Sequence, residues 1–311
     1  MMKRTDTAKP WWKKRHAKRF INLRNTFEQT IDLEAYPDPG VPIMSVNDNV
    51  LSIRNAAHNI RSVYFLPWLI GLWLCLFFIY DDIKPGSTET NYALHRIEMI
   101  ENGGRSVGPN EYQLHSTMLG KEGKVNWTSY IQAVLKYGDR ADREYLIQEL
   151  IILVTISLVT VLFSIFFIRF PCLAEIYFDR QRGIVYTWRF GKIAACKFEN
   201  LGFREDNIGL TLFLYGESKK HESGYWPVLF GLQPTGKAHM NSEDDNTFLM
   251  AQLFAFMDKG KQAVITEDKF KREQPGTYIF VDKKPKDFDA RLAEILKREY
   301  ELPEIYAKHT F

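Results

Sequence analysis

The sequence predicts a membrane protein with two transmembrane α-helices and a cytoplasmic α+β domain. Three observations predict it. Val63 to Tyr80 reads VYFLPWLIGLWLCLFFIY, without a charge. Leu150 to Ile168 reads LIILVTISLVTVLFSIFFI, again without one. At ~1.5 Å of rise per residue, each run approaches the ~30 Å hydrocarbon core of a bilayer. After Pro171 the pattern changes to short alternating runs separated by turn residues, which is the mark of strands.

These features divide the chain into five parts: a basic N-terminal segment (1–62), a first span (63–80), a periplasmic loop (81–145), a second span (146–170) and a β-rich domain with C-terminal helices (171–311). The first span begins far beyond the ~15–30 residues of a cleavable signal peptide, so a resident span is expected. The net charge of +3 hides an uneven layout. Lys and Arg crowd the N-terminus, Arg54 and Arg61 precede the first span, and Arg169, Arg180 and Arg182 follow the second. Between the spans stand Asp81, Asp82, Glu98, Glu101, Asp139, Asp142 and Glu144. Positive flanks stay on the cytoplasmic side, so both termini are expected there and the loop outside.

In the N-terminal segment, Trp11 and Trp12 adjoin Lys13, Lys14 and Arg15. Rings at headgroup depth and cations against anionic lipid make these the membrane-surface candidates, with the lipid bilayer and not nucleic acid as the partner. The stretch YPDPGVPI, from Tyr36 to Ile43, reads as a Pro/Gly linker. In the loop, TSYIQAVLKYGDRADREYLIQEL reads as a helix leading into the second span, interrupted at Gly138. Within that span Ser157, Thr160 and Ser164 fall on one helical face, and Gly71 offers the first span a close-approach point. These four are the helix-pairing candidates, either within a hairpin or with a second copy in a homo-oligomer. The apolar cores of the spans, 63–80 and 150–168, contain no charged residue, which argues against a pump or channel built from this chain alone.

The C-terminal part reads strand by strand. AEIYFDRQRGIVYTWRF is a hairpin turning at Arg180–Gly183, and KIAACKF, LTLFLYG and GYWPVLFGL supply three more strands. NSEDDNTFLMAQLFAFMDKG is a helix capped near Ser242, with Phe248, Leu249, Leu253, Phe254 and Met257 as its stripe and Gly260 as its stop. A strand-like TYIFVD then precedes an amphipathic helix around Phe288 to Tyr300 that carries Leu292, Ile295 and Leu296 on one face. Antiparallel strands closed by a helix directly behind a membrane span resemble the pleckstrin-homology-like fold. The expectation is therefore an antiparallel β-meander or barrel closed by a helix.

Residues 231–238, GLQPTGKA, have the spacing of a phosphate-binding loop. The motif also needs a Ser or Thr after the lysine for magnesium, and Ala238 stands there. Pro234 removes an amide from the cradle, and the next helix cap comes too late. A strand-to-helix loop is the expectation. The three cysteines, Cys75, Cys172 and Cys196, form no metal-binding spacing, and the seven histidines are scattered. No catalytic, cofactor-binding or metal-ligating residues are predicted, and no enzyme.

The segment IYFDRQRGIVYTWRFGKIAACKFENLGF carries Phe178-Asp179-Arg180, Val185-Tyr186 and Phe198-Glu199-Asn200-Leu201. Over roughly residues 40–260 the chain resembles a family of bacterial two-span membrane proteins associated with type VI secretion, some of them regarded as immunity proteins for secreted toxins. The resemblance implies a Gram-negative inner membrane and a protein partner, a secreted toxin effector, which the chain binds and neutralises. It transfers no catalytic residue. The alternative is a sensor or scaffold coupling the periplasmic loop to a cytoplasmic partner.

Overall fold

The computed structural model describes residues 16–25, 27, 33–103, 108–206, 209–219, 221–236, 241–274, 276 and 278–309. It divides into two compact units. The described residues of Met1–Val63 and Arg169–Phe311 form one, and those of Tyr64–Ile168 form the other.

The second unit is helical. Its elements are α1 (Leu66–Ile83), α2 (Ser87–Glu101), α3 (Pro109–Leu119), α4 (Trp127–Tyr137) and α5 (Arg140–Arg169). Gly138 separates α4 from α5 at the predicted break: its extended backbone ends α4, and a Cβ there would meet the Val134 carbonyl. In α1 and α5 the apolar stretch stays uncovered, with none of the first and 6% of the second buried. Among the described residues these two helices are long and apolar enough to cross a membrane. Helices α2, α3 and α4 gather around Ala93, Leu119 and Val125, with Ile97, Met118 and Tyr130 packed against them. The loop thus builds a small core that its thin apolar content does not advertise.

The first unit is built on an antiparallel sheet. Its strands among the described residues are β1 (Lys18–Arg19), β2 (Ile43–Val46), β3 (Val50–Ile53), β4 (Ile176–Asp179), β5 (Ile184–Arg189), β6 (Lys192–Lys197), β7 (Gly202–Asp206), β8 (Gly209–Glu217), β9 (Tyr225–Leu232) and β10 (Phe270–Lys271). They lie in the order β1-β7-β8-β6-β5-β4-β3-β2-β10, with β9 pairing the free edge of β8. The described strands ahead of α1, β1 to β3, therefore belong to this sheet. Strand β3 pairs with β4 from Ile53↔Ile176 to Val50↔Asp179, and the Pro/Gly stretch at 36–43 runs straight into β2.

The expected barrel is corrected: the sheet is open. Strands β6 and β7 divide one edge of β8 between them, with Ala194 and Ala195 opposite Gly216 and Tyr215, and Gly202 to Asp206 opposite Phe213 to Gly209. The chain bends between them at Phe198–Asn200. From that bend β6 carries the sheet towards β10, and β7 carries it towards β1. Both ends of the path are two-residue strands, too short to zip against a partner. TYIFVD adds no strand either. Among its described residues, Val281 makes one isolated bridge, to Cys172.

Helices cover both faces of the sheet. On one face α6 (Glu243–Lys259) starts at Ser242, whose side chain caps the Asp245 amide, and stops at Gly260 with φ 90°. It buries Leu249, Met250, Leu253, Phe254 and Phe256. The Phe254 ring stacks on Phe20 at 4.5 Å and meets Phe198 edge-on at 5.4 Å. Neighbouring strand residues point to opposite faces, so Phe178 joins Phe198 while Tyr177 turns away. On that other face Tyr177 stacks on Tyr186 and Trp188, which in turn meet Phe288 of α7 (Phe288–Arg298). Next, α8 (Leu302–Lys308) packs Tyr306 onto Phe213. Gly202 makes room for that ring, since a Cβ there would come within 2.8 Å of it.

One ion pair fastens α7 to the sheet. Arg291 donates Nε to Glu217 Oε1 at 2.7 Å and a second bond to Oε2, and the Ile193 amide adds a third. Burial pushes the Glu217 carboxyl up, but the Arg291 and Ile193 hydrogen bonds outweigh it and hold the pKa below the usual 4.5. A depressed carboxylate contributes stability above its unfolded pKa and loses it as pH falls through the folded value. Glu217→Gln should therefore cost about 1–3 kcal/mol at pH 7 and far less at pH 3. Urea midpoints at the two pH values measure this; equal losses would mean that packing and not charge holds the helix.

Candidate functional site

Where the chain leaves for α1 and returns from α5, the sheet domain buries the polar residues Asn55, His58, Arg61 and Asp282. Past β3, Asn55 accepts the Ala57 amide at 2.7 Å and starts the short helical turn Ala56–Asn59. A π-turn, Arg61–Phe65, then leads into α1. His58 and Arg61 are buried in this stretch. Burial, with Arg54 adding to it, pushes the His58 imidazole down to about 4, so the ring is neutral at physiological pH. The Arg61 guanidinium lies 4.9 Å from the centre of the Tyr278 ring, and the Tyr278 hydroxyl donates to the His58 carbonyl at 2.6 Å.

The returning chain meets the same loop. The Cys172 amide donates to the Phe280 carbonyl at 2.8 Å, and the Cys172 carbonyl accepts the Asp282 amide at 2.9 Å. The Cys172 thiol points inward and donates to Gln274, which donates to Glu175. Burial pushes the thiol up to about 11, with the nearby Glu175 adding to it, so it stays protonated and unreactive. Asp282 binds the β5–β6 hairpin: its carbonyl accepts Trp188 Nε1 and its carboxylate accepts the Phe190 amide, each at 2.8 Å. Phe190 and Gly191 form that hairpin tip with φ of 50° and 75°. Gly suits such a turn, whereas a bulky aromatic there costs on the order of 1 kcal/mol or more.

In the helical unit the pairing candidates separate. The less exposed residues of α5 between 153 and 167 are Leu153, Ile156, Ser157, Thr160, Phe163, Ser164 and Phe167, and in the stretch from Phe65 through α1 they run Phe65, Leu69, Leu72, Leu76 and Ile79. Both stripes alternate by three and four residues, the seam of two helices packed at a shallow left-handed angle. Thr160 is fully buried, and Ser164 accepts Trp73 Nε1 at 3.2 Å while donating to the Thr160 carbonyl at 2.7 Å. Phe65 packs edge-on against Phe163 and Phe166. Gly71 is not at this contact: a Cβ added there meets nothing within 4 Å. Ser164→Ala should loosen the pair by only about 0.6 kcal/mol, whereas Thr160→Leu, forced into a filled position, should cost about 1–3 kcal/mol. Trp73 fluorescence during denaturation in mixed detergent reads both; a larger loss for Ser164→Ala would overturn this ranking.

Between the helices, His115 is buried against Tyr92, and Arg96 pairs with Glu111. Burial and then Arg96 lower the His115 pKa, against a smaller opposing pull from Asp142. Ser129 donates to the Met118 carbonyl at 2.6 Å and ties α4 to the end of α3.

Trp11, Trp12, Lys13, Lys14 and Arg15 lie outside the described residues, as does Lys237 of GLQPTGKA. The described part of that loop ends β9 and turns at Gly236, whose amide donates to the Gln233 carbonyl at 2.8 Å. The following helix begins only at Glu243, with Glu243, Asp244 and Asp245 in its first turn, where they would repel a phosphate. Among the described residues no three His, Cys, Asp or Glu side chains gather to hold a metal ion. The collar around His58, Arg61, Cys172, Tyr278 and Asp282 was missed in the sequence. Its one legible signal was IFVDKK, apolar residues running directly into lysines.

No family model, curated protein or solved structure matches the chain. The fold itself defines a class: an open antiparallel sheet domain, flanked by helices, that is interrupted by a helical insertion carrying two long apolar helices.

Proposed function

We propose that this chain is a two-span protein of a bacterial inner membrane that acts by binding a protein partner and not by catalysis. The observation that supports it is the division of the sheet domain. Strands on both sides of the insertion pair in one sheet, so Val63 and Arg169 belong on the same side of any bilayer, and the insertion crosses it an even number of times. The uncovered apolar lengths of α1 and α5 suit two crossings. Arg54, Arg61, Arg180 and Arg182 on the sheet side favour the cytoplasm for it, and the helices α2 to α4 then form a periplasmic cap. A pleckstrin-homology-like ancestry for the sheet remains part of the proposal.

The partner, on this reading, is a toxin effector delivered by type VI secretion, which the chain neutralises. That part rests on the resemblance in residues 40–260. A deletion strain competed against its own parent tests it, first with secretion active and then disabled. Loss of the mutant only when secretion is active supports immunity; equal survival in both conditions removes it.

One observation favours a second reading, a sensor or scaffold. The two span ends connect to β3 and β4, which are adjacent and hydrogen-bonded. A shift of one span against the other would act directly on that strand pair.

A further inference from the structure

We propose that the loop Tyr278–Lys286, with the β5–β6 hairpin tip, docks the sheet domain onto the anionic surface of the bilayer. This rests on the two-span reading above. The apolar part is out of place on a soluble domain. Ile279 and Val281 are 66% and 64% exposed, Phe280 is 46% exposed, and Phe190 is 58% exposed on the hairpin beside them. Phe190 also holds a strained left-handed turn with more than half of its surface left in solvent. The Phe190 amide bond to Asp282 makes the two segments one patch.

Three ties place that patch at the membrane. Tyr278, immediately ahead of it, is held by His58 and Arg61, just before the chain enters α1. Its middle, Val281, bridges Cys172, three residues beyond the end of α5 and so within ~10 Å of chain from it. Phe190 meets Phe170, the first residue after α5, at 6.3 Å between ring centres. The patch is thus fastened to both points where the chain passes between sheet and span.

Its rim carries exposed cations: Arg189, Lys192, Lys283, Lys284 and Lys286. Asp282, the acid within the run, is buried and accepts the Phe190 amide, so it presents no charge outward. Apolar residues bounded by Lys and Arg match the acyl boundary and the anionic headgroups above it. Lipid is the occupant this chemistry fits.

The test uses the full chain, with Cys75→Ala, reconstituted in phosphatidylglycerol-rich vesicles. The buried Cys172 and Cys196 leave an introduced cysteine as the site for an environment-sensitive fluorophore. Ile279→Cys and Phe190→Cys report the patch, Gln181→Cys the β4–β5 turn at the opposite end of β5 from Phe190, and Ile152→Cys the span. All four positions are exposed, so labelling does not disturb the core. We expect quenching by spin-labelled lipid at 279 and 190, with iodide quenching about threefold or more below that at 181. Replacing the anionic lipid with phosphatidylcholine should reduce the lipid quenching at 279. Equal iodide access at 279 and 181, with 152 still quenched by lipid, would overturn docking and leave the spans standing. Iodide access at 152 would remove the two-span reading itself, and docking with it. Unchanged quenching in phosphatidylcholine would overturn the role of the anionic surface.

Discussion

Expressed alone, residues 171–311 will fail to fold cooperatively, while residues 16–62 joined to 169–311 by a flexible linker will fold. The reason lies in what the first segment contributes. Phe20, Ile43, Leu51 and Ile53 are fully buried in the common core, and Val46 nearly so. At about 1.5–3 kcal/mol for each buried side chain, their loss matches the whole net stability of a domain, about 5–15 kcal/mol. Removing β3 also strips β4 of its partner from Ile176 to Asp179 and leaves an apolar edge open to aggregation. Thermal melts of the two proteins decide the matter. A single sharp transition in 171–311 by itself would mean that β1 to β3 are ornaments on a self-sufficient fold.

Phe254→Ala should remove about 3–5 kcal/mol from the sheet domain, enough to unfold it or nearly so. The ring lies 6° from parallel to Phe20 at 4.5 Å, and it touches Phe198 and Phe27 at 5.4 and 5.7 Å. Truncation would leave a cavity between a helix, a strand-end turn and the N-terminal segment. Phe248 on the same helix is 44% exposed, and Phe248→Ala should stay within about 0.5 kcal/mol. Urea midpoints of the linked two-segment domain measure both. Equal losses would show that helix α6 is held by its caps and not by this aromatic stack.

The Phe248 contrast illustrates what the sequence can and cannot resolve. A stripe of Phe248, Leu249, Leu253, Phe254 and Met257 was legible, and so were the cap at Ser242 and the stop at Gly260. Which ring sits at the centre was not, because Phe20 and Phe27 reach it from the far end of the chain. Ile43–Val46 and Val50–Ile53 were missed because the Pro/Gly stretch ahead of them read as a linker and β4, which pairs with the second, lies beyond the helical insertion. The other missed strands share a character. Lys18–Arg19, Phe270–Lys271 and Gly202–Asp206 are too short or too polar for alternation to register. TYIFVD erred the other way: its apolar run has a strand's composition, but among its described residues only Val281 makes a bridge, to Cys172. At the candidate site, Ser157, Thr160 and Ser164 were placed on one face by spacing alone, whereas spacing did not tell that Gly71 faces away from the other apolar helix of its own chain.

The sequence by itself determined the elements whose cause is local: two uncharged runs of membrane length, the break at Gly138, the hairpin from Ile176 to Arg189, and the capped helix after Ser242. Each depends on periodicity, chain stiffness or a capping group within a few residues. Only the tertiary structure decided that β3 pairs with β4 across the whole helical insertion, that the sheet stays open, and that Tyr278 to Asp282 are fastened to His58, Arg61 and Cys172. Periodicity reports that a face is buried; it does not name what buries it. A partner distant in sequence is selected by the summed packing of the finished core, and that sum exists only once the chain has closed on itself.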